Sequence, residues 1–335
     1  MNYKLEHLDI EISKACNLAC IHCSAKAGKD EQKPNLKLIK GILTEAKQMG
    51  LRRVGITGGE PLLFPKELSD LINFSVEKLG VSVHMHTNGT LIEQNWSLVK
   101  DSVKKIDNIT LPLLGGTKET HSSNCKSDGA YEKVLTAAKI LVKHSVPTTL
   151  FLIPMSTNVS DLAKGVEPFH KIGIRNYRVM ILTPGGRARN VFEQLSLDEN
   201  QKKHFESELN LLEEKLGIKF EAGFCTRLFL RNMSVLKGHD LCMSAIDRLH
   251  INSNGYVFPC TAASGLIEMN MGDIHQQSLK DIWLNSKGLK EIREFKEKRP
   301  NKCVGCGDYF RCLGGCRVRS YYKNGNLNSV DCFKN

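Results

Sequence analysis

Long apolar runs are missing from this 335-residue sequence. The longest, near Leu150–Met155 and Val179–Leu182, fall far short of the ~20 residues that a membrane-spanning helix requires, so no membrane association is expected. The stretch from Met1 to His7 lacks the apolar core of a signal peptide, which predicts a cytoplasmic location. Internal repeats and low-complexity linkers are missing too. With 41% hydrophobic and 25% charged residues, the composition excludes a collagen, a coiled coil or an entirely disordered chain.

Cysteine, by contrast, is abundant, with 12 residues in the chain. Thiols of a cytoplasmic protein are kept reduced, so disulfides are not expected to account for them. The cysteines form an N-terminal triplet, two isolated residues and a C-terminal group: Cys16, Cys20 and Cys23; Cys125 and Cys225; Cys242, Cys260, Cys303, Cys306, Cys312, Cys316 and Cys332. Closely spaced thiols bring several sulfur atoms to one point, as an iron–sulfur cluster or a soft metal ion requires. On spacing alone, the two isolated cysteines are equally compatible with buried apolar residues.

Strands and helices alternate from residue 8 to about residue 182. The hydrophobic pattern predicts six strands, each but the last followed by a helix before the next strand: Leu8–Ile12, Arg53–Thr57, Val81–His86, Asn108–Leu114, Pro147–Ile153 and Arg175–Leu182. Such alternation is typical of an α/β fold with a parallel sheet and right-handed crossovers. Six units favour a partial (β/α)6 barrel of the TIM type over a closed eightfold barrel.

The pattern changes after Gly217, where cysteine and glycine recur and helical periodicity becomes sparse. We therefore predict two domains, a barrel over residues 1–217 and a small cysteine-rich domain over residues 218–335. In the second domain, Asn254-Gly255 between two alternating runs predicts a β-hairpin over His250–Phe258 with a type I′ turn. A single helix is predicted over Ser278–Lys298.

Two motifs follow the first two predicted strands. Cys16-x3-Cys20-x2-Cys23 comes directly after the first strand, where parallel sheets place functional loops. Three thiolates satisfy three irons of a [4Fe–4S] cluster and leave the fourth iron open for chemistry. Gly58-Gly59-Glu60-Pro61 follows the second strand. Its glycines allow close approach of the backbone to a small ligand, and the carboxylate suits a cationic amine.

Together these segments resemble the radical S-adenosylmethionine (SAM) superfamily over the whole β/α portion. The resemblance implies that the cysteine triplet binds a [4Fe–4S] cluster whose open iron takes the amino and carboxylate groups of SAM. It places Gly58, Gly59 and Glu60 at the methionine end of SAM and His22 against its adenine. Relatives carry a Ser-x-Asp-Gly-Pro stretch where this chain has Leu113–Thr117, so we expect the polar contacts to SAM to come from Thr87 and Asn88.

The C-terminal cysteines resemble the SPASM domain of the same superfamily, which carries two auxiliary [4Fe–4S] clusters. The resemblance assigns four ligands to the distal cluster: Cys303, Cys306, Cys312 and Cys332. It assigns three to the nearer cluster: Cys242, Cys260 and Cys316. The fourth ligand of the nearer cluster is either Cys225, delivered by an enlarged loop, or absent, which leaves an open iron. A zinc ribbon in a nucleic-acid-binding protein is the competing interpretation of the Cys-x2-Cys pair and the net charge of +11. It is disfavoured because the basic residues are dispersed, and no nucleic-acid partner is expected.

Catalytic residues are less well marked. Sulfatase-maturing relatives have an acidic base beside the Cys260 position, whereas this chain has Thr261. His84, His86 and Asp308 are the remaining candidates for a general base. In some relatives an arginine occupies the position of Cys125, which leaves that thiol either near the mouth of the site or in an ordinary loop.

The resemblance implies an oxidoreductase that cleaves SAM to a 5′-deoxyadenosyl radical and oxidises or crosslinks a peptide or protein, as in the maturation of ribosomally synthesised peptides. The alternative is a tailoring enzyme for a haem- or quinone-type cofactor. Expected partners are the substrate and an electron donor such as flavodoxin or ferredoxin. Because no winged-helix segment fits before Leu8, either a separate protein binds the leader peptide or the substrate does not depend on a leader. Eleven ligand thiolates and three oxidised cores together contribute about −5, so much of the basicity balances clusters.

Overall fold

The computed structural model describes residues 3–29, 32–223, 225–226, 230, 242–307 and 309–331. Within them the strands are β1 (His7–Glu11), β2 (Arg53–Thr57), β3 (Ser82–His86), β4 (Asn108–Leu113), β5 (Thr148–Leu152), β6 (Asn176–Val179), β7 (Phe220–Ala222), β8 (Arg248–Ile251), β9 (Tyr256–Phe258) and β10 (Gly272–Asp273). They form one sheet in the order β10-β9-β8-β1-β2-β3-β4-β5-β6-β7. The strands from β8 through β7 in this order are parallel, and β9 and β10 add an antiparallel edge.

Helices connect the parallel strands and pack on one face of the sheet. The α-helices are α1 (Leu36–Gln48), α2 (Pro65–Asn73), α3 (Ile92–Val103), α4 (Lys118–Cys125), α5 (Ala130–Lys143), α6 (Val166–Ile172), α7 (Phe192–Leu195), α8 (Glu199–Leu216), α9 (Leu279–Asn285), α10 (Lys287–Glu297), α11 (Tyr309–Cys312) and α12 (Arg317–Asn324). None of the helices in the described ranges is both long and apolar enough to cross a membrane.

The alternation of side chains along each strand separates a core face from a polar face. In β1, Leu8 and Ile10 belong to the main hydrophobic core, which also contains helix residues such as Leu43 and Phe169. His7, Asp9 and Glu11 occupy the alternate positions of β1 and therefore line the other, inner face of the sheet. The fold thus places polar side chains on the concave side of a partial barrel.

The predicted α/β fold is confirmed. Its parallel part contains eight strands within the described residues, the six predicted ones together with β7 and β8. β7 lies just beyond the predicted domain boundary and pairs in parallel with β6. β8 belongs to the cysteine-rich region, yet it pairs in parallel with β1. β7 has three residues, too few to show alternation in the sequence. β8 was expected as the first strand of the hairpin over His250–Phe258, but its pairing with β1 was not predicted.

Two local predictions were wrong, and one helix was missed. The helix predicted over Ser278–Lys298 breaks at Ser286, whose extended backbone separates α9 from α10. Helix α4 was not predicted, because its sequence is polar and carries almost no apolar periodicity. The β8–β9 hairpin exists, but its turn is not type I′. Of the turn residues, only Gly255 has a positive φ (+84°), whereas type I′ requires positive φ at both central positions.

Candidate functional site

The loop after β1 brings the thiols of Cys16, Cys20 and Cys23 close enough together to influence one another. Burial raises the pKa of Cys16 to about 11, with further increases from Glu60 and Cys23. Burial also raises the pKa of Cys20, and the neighbouring Cys23, Cys125 and Cys16 add to this effect. Thiolates in such a place are unfavourable without a compensating cation. The donor set therefore fits an iron–sulfur cluster, whose iron supplies that charge.

Hydrogen bonds from Arg187, a residue far away in the sequence, hold the backbone carbonyls of this cysteine loop. Arg187, which follows β6, donates from Nε to the carbonyl of Cys20 (2.8 Å) and from its backbone N–H to the carbonyl of Cys23 (2.9 Å). Gly186 precedes it with φ of +57°, and a Cβ there would lie 2.4 Å from the Cys23 carbonyl oxygen. The sequence analysis missed Arg187. Its only signal was the glycine pair before it at the end of the sixth predicted strand.

The Gly58-Gly59 turn lies directly against the start of the cysteine loop. The N–H of Gly59 donates to the Ser13 carbonyl (2.8 Å) and that of Glu60 to the Ala15 carbonyl (2.7 Å). A Cβ on Gly58 would lie 2.4 Å from the Ser13 oxygen, and one on Gly59 would lie 1.9 Å from the Ala15 oxygen. The glycines are therefore needed for contact between two protein loops, whereas the sequence suggested close approach to a ligand.

The carboxylate of Glu60 is buried and accepts three hydrogen bonds from the protein. Its oxygens accept from the Thr87 hydroxyl (2.6 Å), the Asn88 N–H (2.7 Å) and the Leu62 N–H (2.9 Å). Burial raises its pKa, while these donors lower it. Glu60 therefore ties the turn after β2 to the turn after β3.

Asn88 extends this link to the cysteine loop. Its Nδ2 donates to Asn17 Oδ1 (2.9 Å) and lies 3.8 Å from Cys16 Sγ, while its Oδ1 accepts from the Thr90 N–H and hydroxyl. Thr87 uses its hydroxyl within the same group, donating to Glu60 and accepting from the Gly89 N–H. The structure thus joins Thr87 and Asn88 to the cysteine loop through side-chain hydrogen bonds.

His22 lies within the triplet, between Cys20 and Cys23, and Cys125 lies beside it. His22 Nδ1 is shielded from solvent and has no hydrogen-bond partner among the described residues, and burial lowers the pKa of this histidine to about 4. Cys125 is fully buried, donates to the His121 carbonyl (2.8 Å) and packs with Leu18 beside the triplet. Cys125 therefore lies behind the cysteine loop and not in an open loop.

Cys225 and three cysteines of the C-terminal group also converge. The thiols of Cys225 and Cys316 are hydrogen-bonded to each other, and this contact and burial raise the pKa of Cys225. Cys242 and Cys260 lie close enough to raise it further, and burial raises the pKa of Cys260 to about 12. Four thiols close to one another match the donor set of a closed [4Fe–4S] site.

The remaining cysteine ligands predicted for the distal cluster are described only in part. Cys303 and Cys306 are joined by a backbone hydrogen bond (3.1 Å), and Arg299 donates from Nε to the Cys303 carbonyl (2.8 Å). Cys303 and Cys312 both raise the pKa of the neighbouring Tyr309, after burial. Cys332 and the candidate base Asp308 lie outside the described residues.

The candidate bases His84 and His86 lie on the inner face of β3. Their ring centroids are 5.5 Å apart, and His86 also contacts Phe151 of β5 edge-on. Burial lowers the pKa of His86 to about 3, with a further decrease from the neighbouring His84. His86 is therefore neutral near pH 7, and its low pKa makes it a weak base.

Comparisons with known proteins agree with this arrangement. Residues 10–164 match the model of the radical SAM superfamily, and residues 242–307 match that of an iron–sulfur cluster-binding domain, SPASM. The chain belongs to the radical SAM superfamily and carries a SPASM domain, which implies binding of SAM and iron–sulfur clusters.

Similar proteins include an AdoMet-dependent heme synthase of Methanosarcina barkeri, 24% identical over 94% of this chain and 92% of that protein. The mycofactocin maturase MftC of Mycobacterium tuberculosis is 24% identical over 96% of this chain and 80% of that protein. Among solved structures, Streptococcus suis SuiB bound to its precursor peptide SuiA is similar with a TM-score of 0.77 at 19% identity. That alignment covers 98% of this chain and 75% of SuiB.

Proposed function

We propose that this protein is a peptide or protein maturase that oxidises or crosslinks a residue of its substrate, using SAM. The observation that carries the proposal is the presence of two groups of converging thiols, one in the loop after β1 and one around Cys316. The strands β1 and β8, which belong to the two regions, are hydrogen-bonded neighbours. A barrel with one cluster would need only the first group. The peptide-bound SuiB and the maturase MftC, both similar to this chain, support a peptide substrate.

In this proposal Cys16, Cys20 and Cys23 hold the SAM-binding cluster, and Gly58, Gly59 and Glu60 position the loop that carries it. A [4Fe–4S] cluster supplies the electron that cleaves SAM to a 5′-deoxyadenosyl radical, the species that removes a hydrogen atom from substrate. His22, whose Nδ1 has no partner in the part of the chain that the structure describes, is assigned to the adenine end of SAM. Thr87 and Asn88 orient the loop through their hydrogen bonds to Glu60 and Asn17.

The SPASM cysteines are assigned to two auxiliary [4Fe–4S] clusters, three clusters in all. Cys225 completes the nearer set with Cys242, Cys260 and Cys316, because its thiol is hydrogen-bonded to Cys316 and lies within reach of the other two. Cys303, Cys306, Cys312 and Cys332 are assigned to the distal cluster.

After the hydrogen atom has left, the substrate residue loses a second electron, which an auxiliary cluster would accept, and releases a proton. His86 is assigned as the first acceptor of this proton by position alone, because its ring lies on the inner face of the barrel and contacts Phe151 of β5. We expect His86→Gln to lower the rate of product formation while 5′-deoxyadenosine still forms.

A second candidate is a tailoring enzyme acting on a haem-type precursor. It is favoured by the heme synthase of M. barkeri, because the similarity spans nearly the whole of both chains. The test is anaerobic incubation of the cluster-loaded protein with SAM, reductant and either peptides encoded beside its gene or carboxylated iron porphyrins. Loss of hydrogens from a peptide, detected by mass spectrometry and absent with Cys20→Ala, supports the maturase. Modification of the porphyrin alone contradicts it.

A further inference from the structure

Asp9, Gly55 and His84, on the neighbouring strands β1, β2 and β3, form a single row across the inner face of the sheet. Asp9 of β1 is the register partner of Gly55 in β2, and Gly55 is the partner of His84 in β3. His7 lies two residues before Asp9, so its side chain is on the same face. The topology therefore gathers two imidazoles and one carboxylate at one place, away from the cysteine loop.

The ligand atoms of these residues converge. His7 Nε2 lies 3.1 Å and His84 Nε2 lies 3.4 Å from the same oxygen, Asp9 Oδ1. The three ligand atoms all lie within 4.8 Å of one another. Ligands that each bind a zinc-sized ion at 2.0–2.2 Å are separated by about 3.0–3.5 Å in tetrahedral or octahedral sites. The two separations measured from Asp9 Oδ1 therefore match those around one ion.

Gly55 provides the space in which this convergence occurs. A Cβ at position 55 would lie 1.9 Å from Asp9 Oδ1 and 2.7 Å from His84 Nε2. Any other residue in the middle of the row would separate the carboxylate from the second imidazole. Glycine is disfavoured inside a strand, so its presence here has a local reason, and the contact of Asp9 with His84 provides one.

The charge and the second oxygen of Asp9 also suit a cation. A carboxylate supplies the negative charge that a divalent ion requires beside two neutral imidazoles. The Thr261 hydroxyl donates to Oδ2 (2.9 Å), which fixes the carboxylate and leaves Oδ1 directed at the imidazoles. Such outer contacts orient the ligands of metal sites.

We propose that His7, Asp9 and His84 bind one divalent transition-metal ion of the zinc or ferrous type. Two imidazoles and a carboxylate leave coordination positions open, and these face the interior of the barrel. An ion there would bind a carboxylate or carbonyl oxygen of a molecule in the barrel. The competing interpretation is a hydrogen-bonded group in which the two histidines share protons with Asp9 and no metal binds.

The test uses the cluster-loaded protein, equilibrated anaerobically with zinc chloride and desalted. Zinc and iron are measured together by mass spectrometry, and X-ray absorption at the zinc edge identifies the ligand atoms. We expect one zinc per chain bound by nitrogen and oxygen at about 2.0–2.1 Å, with unchanged iron. Zinc affinity should fall at least tenfold in Asp9→Asn and His84→Gln, whereas His204→Gln, an exposed histidine of α8, should match the wild type.

The absence of retained zinc in the wild type would overturn the proposal, as would equal zinc uptake by all four proteins. So would zinc bound by sulfur at about 2.3 Å, since it would place the ion on cysteines. The wild-type absorption spectrum is decisive even where a variant fails to fold. Neither readout depends on SAM cleavage, so the outcome is independent of the proposed function.

Discussion

Cys225 is the single residue on which the ligand assignment of the nearer auxiliary cluster depends. It stands 17 positions before Cys242 in the chain (242 minus 225), yet its thiol is hydrogen-bonded to Cys316. We expect Cys225→Ala to change the electron paramagnetic resonance signal of one reduced auxiliary cluster, because one iron then loses its thiolate. Cys125→Ala is the control, since Cys125 is also isolated in the sequence and is not assigned to a cluster. Identical spectra for wild type and Cys225→Ala would refute the assignment.

His121 predicts how stability depends on pH. It is buried, its Nδ1 accepts from the Leu114 N–H at 3.3 Å, and burial lowers its pKa to about 4. The unfolded chain, with an ordinary histidine pKa near 6.5, then binds more protons than the folded chain between these values. Stability contributed by neutral His121 is therefore complete above pH ~6.5 and is lost as the pH falls towards 4.

Lowering the pH from 7.5 to 5 should reduce the free energy of unfolding of the wild type by about 2 kcal/mol through protonation of His121 in the unfolded chain. His121→Gln should lack this contribution. Anaerobic melting temperatures at both pH values test this, because acid lability of the clusters affects both proteins alike. An equal fall in melting temperature for the two proteins would mean that His121 does not titrate as described.

At the scale of elements, the site depends on contact between the turn after β2 and the loop after β1. We expect Gly59→Ala to reduce the iron content by about four atoms per chain, because its Cβ would collide with the Ala15 carbonyl and displace the cysteine loop. Iron and sulfide analysis after reconstitution measures this.

Gly41→Ala in helix α1 is the control for the same substitution. No atom lies within 4 Å of a Cβ at position 41, so we expect full iron content and a gain in stability of about 0.5–1 kcal/mol. Full iron content in Gly59→Ala as well would show that the two loops do not need this close contact.

Elements whose periodicity is strong were predictable, and those defined by distant contacts were not. The six central strands, the cysteine triplet and the Gly-Gly-Glu turn are local patterns, so the sequence identified them. β8 pairs with β1 across more than two hundred positions, and Arg187 reaches Cys20 across a separation of 167. No local pattern encodes such pairing. The hairpin turn was misassigned because Asn-Gly also suits a turn with positive φ at glycine alone.

At the scale of the whole molecule, one continuous sheet carries both groups of thiols. β8 of the cysteine-rich region extends the barrel sheet at β1, and the buried pair of His250 and Glu11 (3.1 Å) joins the two strands on the inner face. The cysteine-rich region is therefore built onto the barrel at β1, the strand that leads into the cysteine loop. This arrangement places the proposed nearer auxiliary cluster and the proposed SAM cluster at adjacent strands.

The central claim is that the chain holds three [4Fe–4S] clusters and uses one of them to cleave SAM. The most direct measurement combines iron and sulfide analysis of anaerobically reconstituted protein with detection of 5′-deoxyadenosine after addition of SAM and reductant. We expect about 12 irons and as many sulfides per chain, and 5′-deoxyadenosine that disappears in Cys20→Ala. One or two zinc ions per chain with no sulfide, and no 5′-deoxyadenosine, would contradict the account.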